Sequence, residues 1–335
     1  MIIRKVSYPR AALIGNPSDG YYGKTIAFLF SNFKAEILLY ESPELEIIPE
    51  GTDSTLFESM QAMVEEVNLY GYYGGVRLLK AAIKRFYEHC QQNNLKLDKR
   101  NFTIRYKSNI PFRLGLAGSS AIITASMRAM MEFFEVNIDR EILANLVLSV
   151  EQDELSISAG LQDRVAQAYE NPIYMDFDEK IMKKRAYGIY KEIKTENFPS
   201  FYISYRRDQS EGSDIVHNTF RERFLLKEKK VLDAIEKWKD LTDKVYDMLL
   251  SDNWMRIDEL INSNFDIRKS VMNISEKNLE MVEIARKTGA SAKFTGSGGA
   301  IIGTYKNEVI FEELKTRMNH IGIETIKPNI VRSKL

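Results

Sequence analysis

Residues 111 to 122, Pro-Phe-Arg-Leu-Gly-Leu-Ala-Gly-Ser-Ser-Ala-Ile, join a glycine-rich turn to two hydroxyls and an apolar segment that reads as helix. That order suits an anion seat. Gly115 and Gly118 allow left-handed or closely approaching backbone, and the first turn of a helix leaves its N–H groups unpaired at the positive end of the dipole. The same order also suits a tight helix start with Ser119 as N-cap, and the turn alone does not choose between the two. Two further glycine-rich turns, Gly15-Asn-Pro-Ser-Asp-Gly20 and Thr295-Gly-Ser-Gly-Gly299, stand far from it in sequence and would suit one converging cleft. Between them Glu151 falls at a predicted helix end, and Asp163 follows the break at Gly160-Leu-Gln. Two carboxylates beside a phosphate loop have a ready use: one holds Mg2+ by the phosphates, the other orients or deprotonates an acceptor hydroxyl. On spacing alone they also read as solvated surface charges. Gly20-Tyr-Tyr-Gly-Lys24-Thr25 ends like a Walker A loop, but that loop requires glycine at position 18, where Ser18 stands, and a strand-like run follows instead of a helix.

The elements that must position these groups follow from periodicity. Short β-rich runs at 5–8, 11–14, 24–30, 35–40 and 45–48 read as strands of one sheet. A helix is predicted over 74–90, with Val76, Leu79, Ala82, Ile83 and Phe86 at helical spacing, and a strand over 102–106. The helical pattern resumes from Ser119 through Phe134, and again over 139–151 with Ile142, Leu146 and Val150 on one face. Asn171-Pro172 and the charged run from Asp176 to Lys184 mark the best place for a domain seam. Beyond it come a strand at 201–205, long helices near 225–250, 254–271 and 275–288, and apolar runs at 292–294 and 300–305 flanking the last glycine loop. Strands followed by segregated helices, without strict βαβα alternation, argue for α+β architecture in both halves.

Composition narrows the partners. A length of 335 residues suits two domains, and 44% hydrophobic with 28% charged residues is ordinary for a soluble globular protein. No apolar run approaches the roughly 20 residues that cross a bilayer, and the start lacks a signal-peptide pattern, so no membrane partner is expected and the cytoplasm is the expected address. The single cysteine, Cys90, reads as a structural thiol, and His89, His217 and His320 show no zinc spacing. Lys+Arg and Asp+Glu balance at 47 each, so the excess that drives sequence-independent nucleic-acid binding is missing and a small-molecule partner is expected.

The whole arrangement resembles the GHMP kinases, the superfamily of galacto-, homoserine, mevalonate and phosphomevalonate kinases, over nearly the full chain. Three segments carry the resemblance in family order. They are Pro9-Arg-Ala-Ala-Leu-Ile-Gly-Asn-Pro-Ser-Asp-Gly20, Pro111 to Ala121 with one residue more than the family's P-x-x-x-G-L-G-S-S-A, and Lys293-Phe-Thr-Gly-Ser-Gly-Gly-Ala300. The resemblance implies a two-domain α+β fold. A ribosomal-protein-like β-α-β domain would occupy 1–175 and a ferredoxin-like α+β domain 176–335, with the active site between them. It further implies ATP and Mg2+ as cofactors, with the backbone of Gly115, Leu116, Ala117, Gly118, Ser119 and Ser120 around the ATP phosphates, and Ser120 and Glu151 on the metal. Asp163 would be the catalytic aspartate, and Arg10 the basic residue beside it that offsets charge near the transferred phosphoryl group. Asn16, Asp19, Gly296, Ser297 and Gly298 would bind the acceptor.

Asn16-Pro17 stands where galactokinase-like members have Glu-His, which removes a charge where the acceptor sits. Within the superfamily, Leu13 to Thr25, Gly74-Gly-Val-Arg-Leu-Leu79, Gly115 to Ala121 and Ala159-Gly-Leu-Gln-Asp-Arg164 are most similar to glucuronokinases. Those enzymes phosphorylate the anomeric hydroxyl of a sugar acid, and the expected product is a sugar 1-phosphate. Rival readings are a kinase of another hexose or heptose, and an inactive protein that binds a nucleotide or sugar. A sugar carboxylate calls for a cation, for which Lys24, Arg77, Arg113 and Arg164 are candidates. Tyr21, Tyr22, Tyr72 and Tyr73 either stack on the sugar face or belong to the core.

Overall fold

A computed structural model of the chain describes residues 1–49, 74–194, 197–206 and 214–332. In chain order its first elements are β1 (Ile2–Ser7), β2 (Arg10–Ile14), β3 (Lys24–Leu29), β4 (Ala35–Ser42), β5 (Glu46–Ile48), α1 (Gly75–Gln92), β6 (Asn101–Ser108), α2 (Gly118–Phe133), α3 (Arg140–Ser149) and α4 (Leu161–Tyr169). They are followed by β7 (Ile173–Asp176), α5 (Glu179–Arg185), β8 (Ile189–Glu192), β9 (Phe201–Arg206), α6 (Asp214–Leu225), α7 (Lys229–Ser251), α8 (Ile257–Val271) and α9 (Glu276–Lys287). The last are β10 (Lys293–Phe294), β11 (Ala300–Thr304), α10 (Glu308–His320) and β12 (Ile323–Ile326). No helix among the described residues is long and apolar enough to cross a membrane.

The chain packs as two compact units that interleave along the sequence. Residues 1–9, 33–112 and 117–168 form the first, and residues 10–32, 113–116 and 169–335 the second. The chain therefore changes unit at 168/169, upstream of the seam expected at 171–184. The reason is pairing: β7 and β8 extend a sheet that β2 and β3 begin.

Among the described residues the first unit holds one four-stranded sheet in the order β1-β4-β6-β5, with β5 parallel to β6 and the other pairs antiparallel. Strand β4 alternates, with Ala35, Ile37 and Leu39 buried, as a strand with one covered face must. The cover is α2, which packs on β1 and β4 and is buried through nearly all of Ser120 to Met130. Helix α1 lays Leu79, Ala82, Phe86 and Cys90, spaced at helical period, against the same unit's core. Burial pushes the Cys90 thiol up to about 11, which makes it inert packing.

The second unit holds two antiparallel sheets, β2-β3-β7-β8 and β10-β11-β9-β12. The five N-terminal strands expected in one sheet thus divide between two. β2 and most of β3 are buried on both faces, unlike the alternating β4, so their continuous apolar runs belong to an interior sheet. The last sheet follows a split βαβ path from β9 through the helices to β10 and β11, then α10 and β12. Its core gathers Tyr202, Phe265, Met281, Phe294, Phe311 and Leu314.

Candidate active site

In the first unit, Ala117 is left-handed at φ 62° and α2 starts at Gly118. The earliest helical bond runs from Ala121 N–H to Ala117 O at 3.2 Å, so the N–H groups of Gly118, Ser119 and Ser120 precede the ladder at the positive end of a 16-residue helix. Fully buried Gln167 donates to Ala117 O at 3.0 Å and to Tyr8 O at 3.1 Å, which holds the left-handed residue from behind. No side chain caps this end, so Ser119 is not the N-cap. Its hydroxyl instead donates to Glu151 Oε1 at 2.6 Å. The Ser120 hydroxyl, fully buried, turns back to Ala117 O at 3.1 Å.

Glu151 rides on a five-residue π turn, Val150–Glu154, that extends α3, a local rewinding often found at functional positions. It is 0% exposed, which removes the reading as a surface charge. Its Oε2 accepts from Arg164 Nε at 2.7 Å and from Arg164 Nη2. Arg164 Nη1 also lies 3.1 Å from Asp163 Oδ2 and donates to Gly160 O at 2.8 Å, so one guanidinium binds both carboxylates. Beside Asp163, the buried Gln162 Oε1 has no hydrogen-bond partner among the described residues. The donor set fits Mg2+: Ser119 Oγ and Glu151 Oε1 are hard oxygens 2.6 Å apart, near the roughly 2.9 Å between adjacent ligands of a Mg2+ octahedron. Among the described residues no three His, Cys, Asp or Glu converge, so phosphate and water oxygens would complete the shell.

In the second unit, Arg10 is buried on β2. Its backbone N–H donates to Leu116 O at 3.1 Å, and its guanidinium to Gly115 O at 3.3 Å and to Thr295 O. Gly115 has φ +63°, and a Cβ there would stand 2.8 Å from Ser297 N; one on Gly296 would stand 2.3 Å from Gly115 O. Two glycine loops therefore meet backbone to backbone, which side chains would prevent. Asn16 Nδ2 donates to Phe294 O at 3.2 Å and Gly296 O at 3.5 Å, while its buried Oδ1 has no partner among the described residues. Arg10, Asn16, Gly115, Leu116, Gly296, Ser297 and Gly298 are thus brought together, with Asp19 on the short turn Ser18–Tyr21 nearby in sequence.

Asn264, Asn278 and Arg268 of this unit carry no motif and escape sequence reasoning, whereas Lys293 opens the third motif without a role assigned to it. Asn264 accepts from Gly15 N–H at 2.7 Å and donates to Asn16 O at 3.1 Å, and Asn278 accepts from Gly299 N–H at 3.0 Å. Arg268 donates to Gly296 O at 2.8 Å and to Ser297 O at 2.9 Å, and burial pushes its pKa down to about 10. Lys293 donates to Ala12 O at 2.7 Å and Phe294 O at 2.9 Å; burial, with Arg268 and Arg10 near it, pushes its pKa well down. The usable signal for Arg268 is periodicity: it continues the buried stripe Ile257, Ile261 and Phe265 with a charge.

The four cations considered for a sugar carboxylate have other engagements. Lys24 pairs with Asp243 at 2.7 Å and Asp176 at 3.6 Å, and Arg164 serves Glu151 and Asp163. Arg77 donates to Leu155 O at 3.3 Å, and Arg113 sits in a left-handed turn at φ 57°. Tyr21 is core, packed edge-on to Phe220 at 4.8 Å, and Tyr22 lies 6.3 Å from Phe224; Tyr72 and Tyr73 lie outside the described residues.

The model of the GHMP kinases N terminal domain matches residues 77–171. A protein of Arabidopsis thaliana described as probable glucuronokinase 2 is 41% identical over 303 residues, covering 88% of this chain and 82% of its own length. Glucuronokinase 1 of the same plant is 39% identical over 302 residues, with 88% and 83% covered. The chain belongs to the GHMP kinases. Solved structures of the superfamily share its fold: a mevalonate kinase at TM-score 0.72 and 18% identity covers 99% of this chain and 100% of its own. Galactokinase of Lactococcus lactis, solved with galactose, reaches TM-score 0.73 at 14% identity with 98% and 94% covered. The α+β class expected from the sequence is therefore that of a GHMP kinase. The matched N-terminal family domain contains the glycine turn, Glu151 and Asp163, whereas Arg10 and the loop from Thr295 to Gly299 lie outside it.

Proposed function

We infer that this chain is a glucuronokinase, an ATP- and Mg2+-dependent enzyme that phosphorylates the anomeric hydroxyl of a sugar acid such as glucuronate to give the sugar 1-phosphate. About 40% identity to two proteins so named supports the acceptor, and one arrangement supports the chemistry: Ser119, Glu151, Arg164 and Asp163 joined by hydrogen bonds and ion pairs at the head of α2. In this reading the enzyme acts in the cytoplasm on small molecules and not on nucleic acid, and residues 1–175 and 176–335 correspond to the two family domains.

The ATP phosphates accept from the backbone N–H groups of the turn from Gly115 to Ser120. Asp163 takes the proton of the anomeric hydroxyl as that oxygen bonds to the γ-phosphorus and the bond to the β,γ-bridging oxygen breaks, releasing ADP. Arg164 is the positioning cation that fixes both carboxylates through its rigid fork. Arg10 keeps the role of second basic residue that the family implies. Glu151 would hold Mg2+ together with Ser119, in preference to Ser120, whose hydroxyl already serves Ala117 O. Bound there, the ion would neutralise phosphate charge. Within the first unit, the unpartnered Oε1 of Gln162 is an acceptor suited to a sugar hydroxyl.

The test is a coupled ADP-release assay over glucuronate, galacturonate, glucose, galactose and a heptose. Sugar acids should turn over, and Asp163→Asn should lower kcat by about a hundredfold or more with the KM for ATP within about twofold. Unchanged turnover in Asp163→Asn would remove Asp163 from catalysis, and equal use of acids and neutral sugars would remove the sugar-acid assignment.

A further inference from the structure

The carbonyls of four consecutive residues, Phe294 to Ser297, are all taken by buried donors of the second unit. Lys293 and Asn16 hold Phe294 O, Arg10 holds Thr295 O, and Arg268 holds both Gly296 O and Ser297 O at 2.8 and 2.9 Å. A trans peptide points its C=O and the following N–H in opposite directions. Gripping the carbonyls of Gly296 and Ser297 from the Arg268 side therefore turns the N–H groups of Ser297 and Gly298 to the other side. Neither of those N–H groups has a hydrogen-bond acceptor among the described residues. The flanking donors are used: Thr295 N–H goes to Ala300 O at 3.1 Å and Gly299 N–H to Asn278 Oδ1 at 3.0 Å. Successive unpaired N–H groups on a glycine bend form an anion-binding concavity.

The charge behind this bend has the matching sign. Arg268 is 3% exposed and has no carboxylate within ion-pair distance among the described residues; Asp19 reaches it only as a more distant charge. A buried guanidinium whose hydrogen bonds all go to neutral carbonyls leaves a positive field that Asp19 offsets only from a longer distance. Two of the cations first considered for the substrate's carboxylate, Lys24 and Arg164, are by contrast already balanced by protein carboxylates.

We propose that Arg268 is the positioning residue for acid specificity: it fixes the bend from Gly296 to Gly298 so that the N–H groups of Ser297 and Gly298, with its own charge behind them, receive the carboxylate of the sugar acid. This rests on the sugar-acid reading above. Arg268 touches no substrate; it acts through the loop.

The experiment compares wild type, Arg268→Lys and Arg268→Gln in the full chain. For each, KM and kcat are measured with glucuronate and ATP, the binding constant of glucose as substrate or competitor is determined, and a thermal melt is recorded. The KM for glucuronate should rise about tenfold or more in Arg268→Gln, with glucose and ATP constants within about twofold. Arg268→Lys, which keeps the charge but loses the fork, should recover part of that loss and carries the test if the Gln variant melts below the assay temperature. Glucuronate and glucose constants rising together, a rise confined to ATP, or a fall in kcat alone would each overturn the proposal. Wild type binding glucose as tightly as glucuronate would instead strike the sugar-acid reading itself, before any variant is compared.

Discussion

Arg164 is the residue on which the proposed catalytic carboxylates depend, because it holds fully buried Glu151 through two donors and Asp163 through a third. Removing one partner of a buried ion pair leaves the other charged and unsolvated, whereas removing both leaves only a packing change. Arg164→Met should therefore cost about 3–5 kcal/mol in denaturant unfolding, and adding Glu151→Gln should recover part of that loss. Strictly additive losses in the double variant would mean that the pair does not couple. At this scale the sequence is readable where a motif marks a residue. Glu151 and Asp163 could be located through the family pattern, but the pattern did not reveal that Ser119, and not Ser120, meets Glu151, since that choice depends on the left-handed turn at Ala117 and the rotation it gives α2. Arg268 has no motif, and its meaning comes only from the carbonyls that folding brings to it from residues 28 and 29 positions away.

Elements whose signal is local were legible to within a few residues. The helix predicted over 74–90 is Gly75–Gln92, and that from Ser119 to Phe134 is Gly118–Phe133, because an apolar stripe at helical period is a property of one segment. Sheet membership is not. The period of β2 and β3 says that both faces are covered, but not that β3 pairs with β7 some 150 residues later and that β8 extends the same sheet. One local feature departs from preference: Ala117, the extra residue of the glycine turn, holds a left-handed φ of 62° at the start of α2. Alanine there carries a strain of about 1–2 kcal/mol that glycine lacks, partly offset by the greater freedom of glycine in the unfolded chain. Ala117→Gly should leave stability unchanged or raise it by up to about 1 kcal/mol in urea unfolding. A loss above about 1 kcal/mol would show that the Ala117 methyl packs in a way that outweighs its backbone strain.

At the scale of the molecule, the interleaving of the two units sets what can be cut. A fragment 1–175 contains all of the first unit but also residues 10–32, 113–116 and 169–175 of the second. In that fragment β2 and β3 would keep only part of their sheet, lose β8, and lose the α7 packing that covers them, exposing Leu13, Ile26 and Phe28, each 0–1% exposed in the whole chain. A two-sided apolar hairpin without its cover is an aggregation hazard. The register offers a remedy. β1 and β4 pair from Ile2 with Tyr40 to Ser7 with Ala35, so the segment from 10 to 32 is an excursion from the end of an existing antiparallel pair, and a short turn can replace it. Fragment 1–175 should aggregate or melt without a cooperative transition, while residues 1–168 with 10–32 replaced by a turn of about three residues should stay soluble and melt in one step by circular dichroism. A cooperative melt of fragment 1–175 would mean that β2 and β3 find sufficient cover inside the first 175 residues, and that the second unit is not the place where their stability arises.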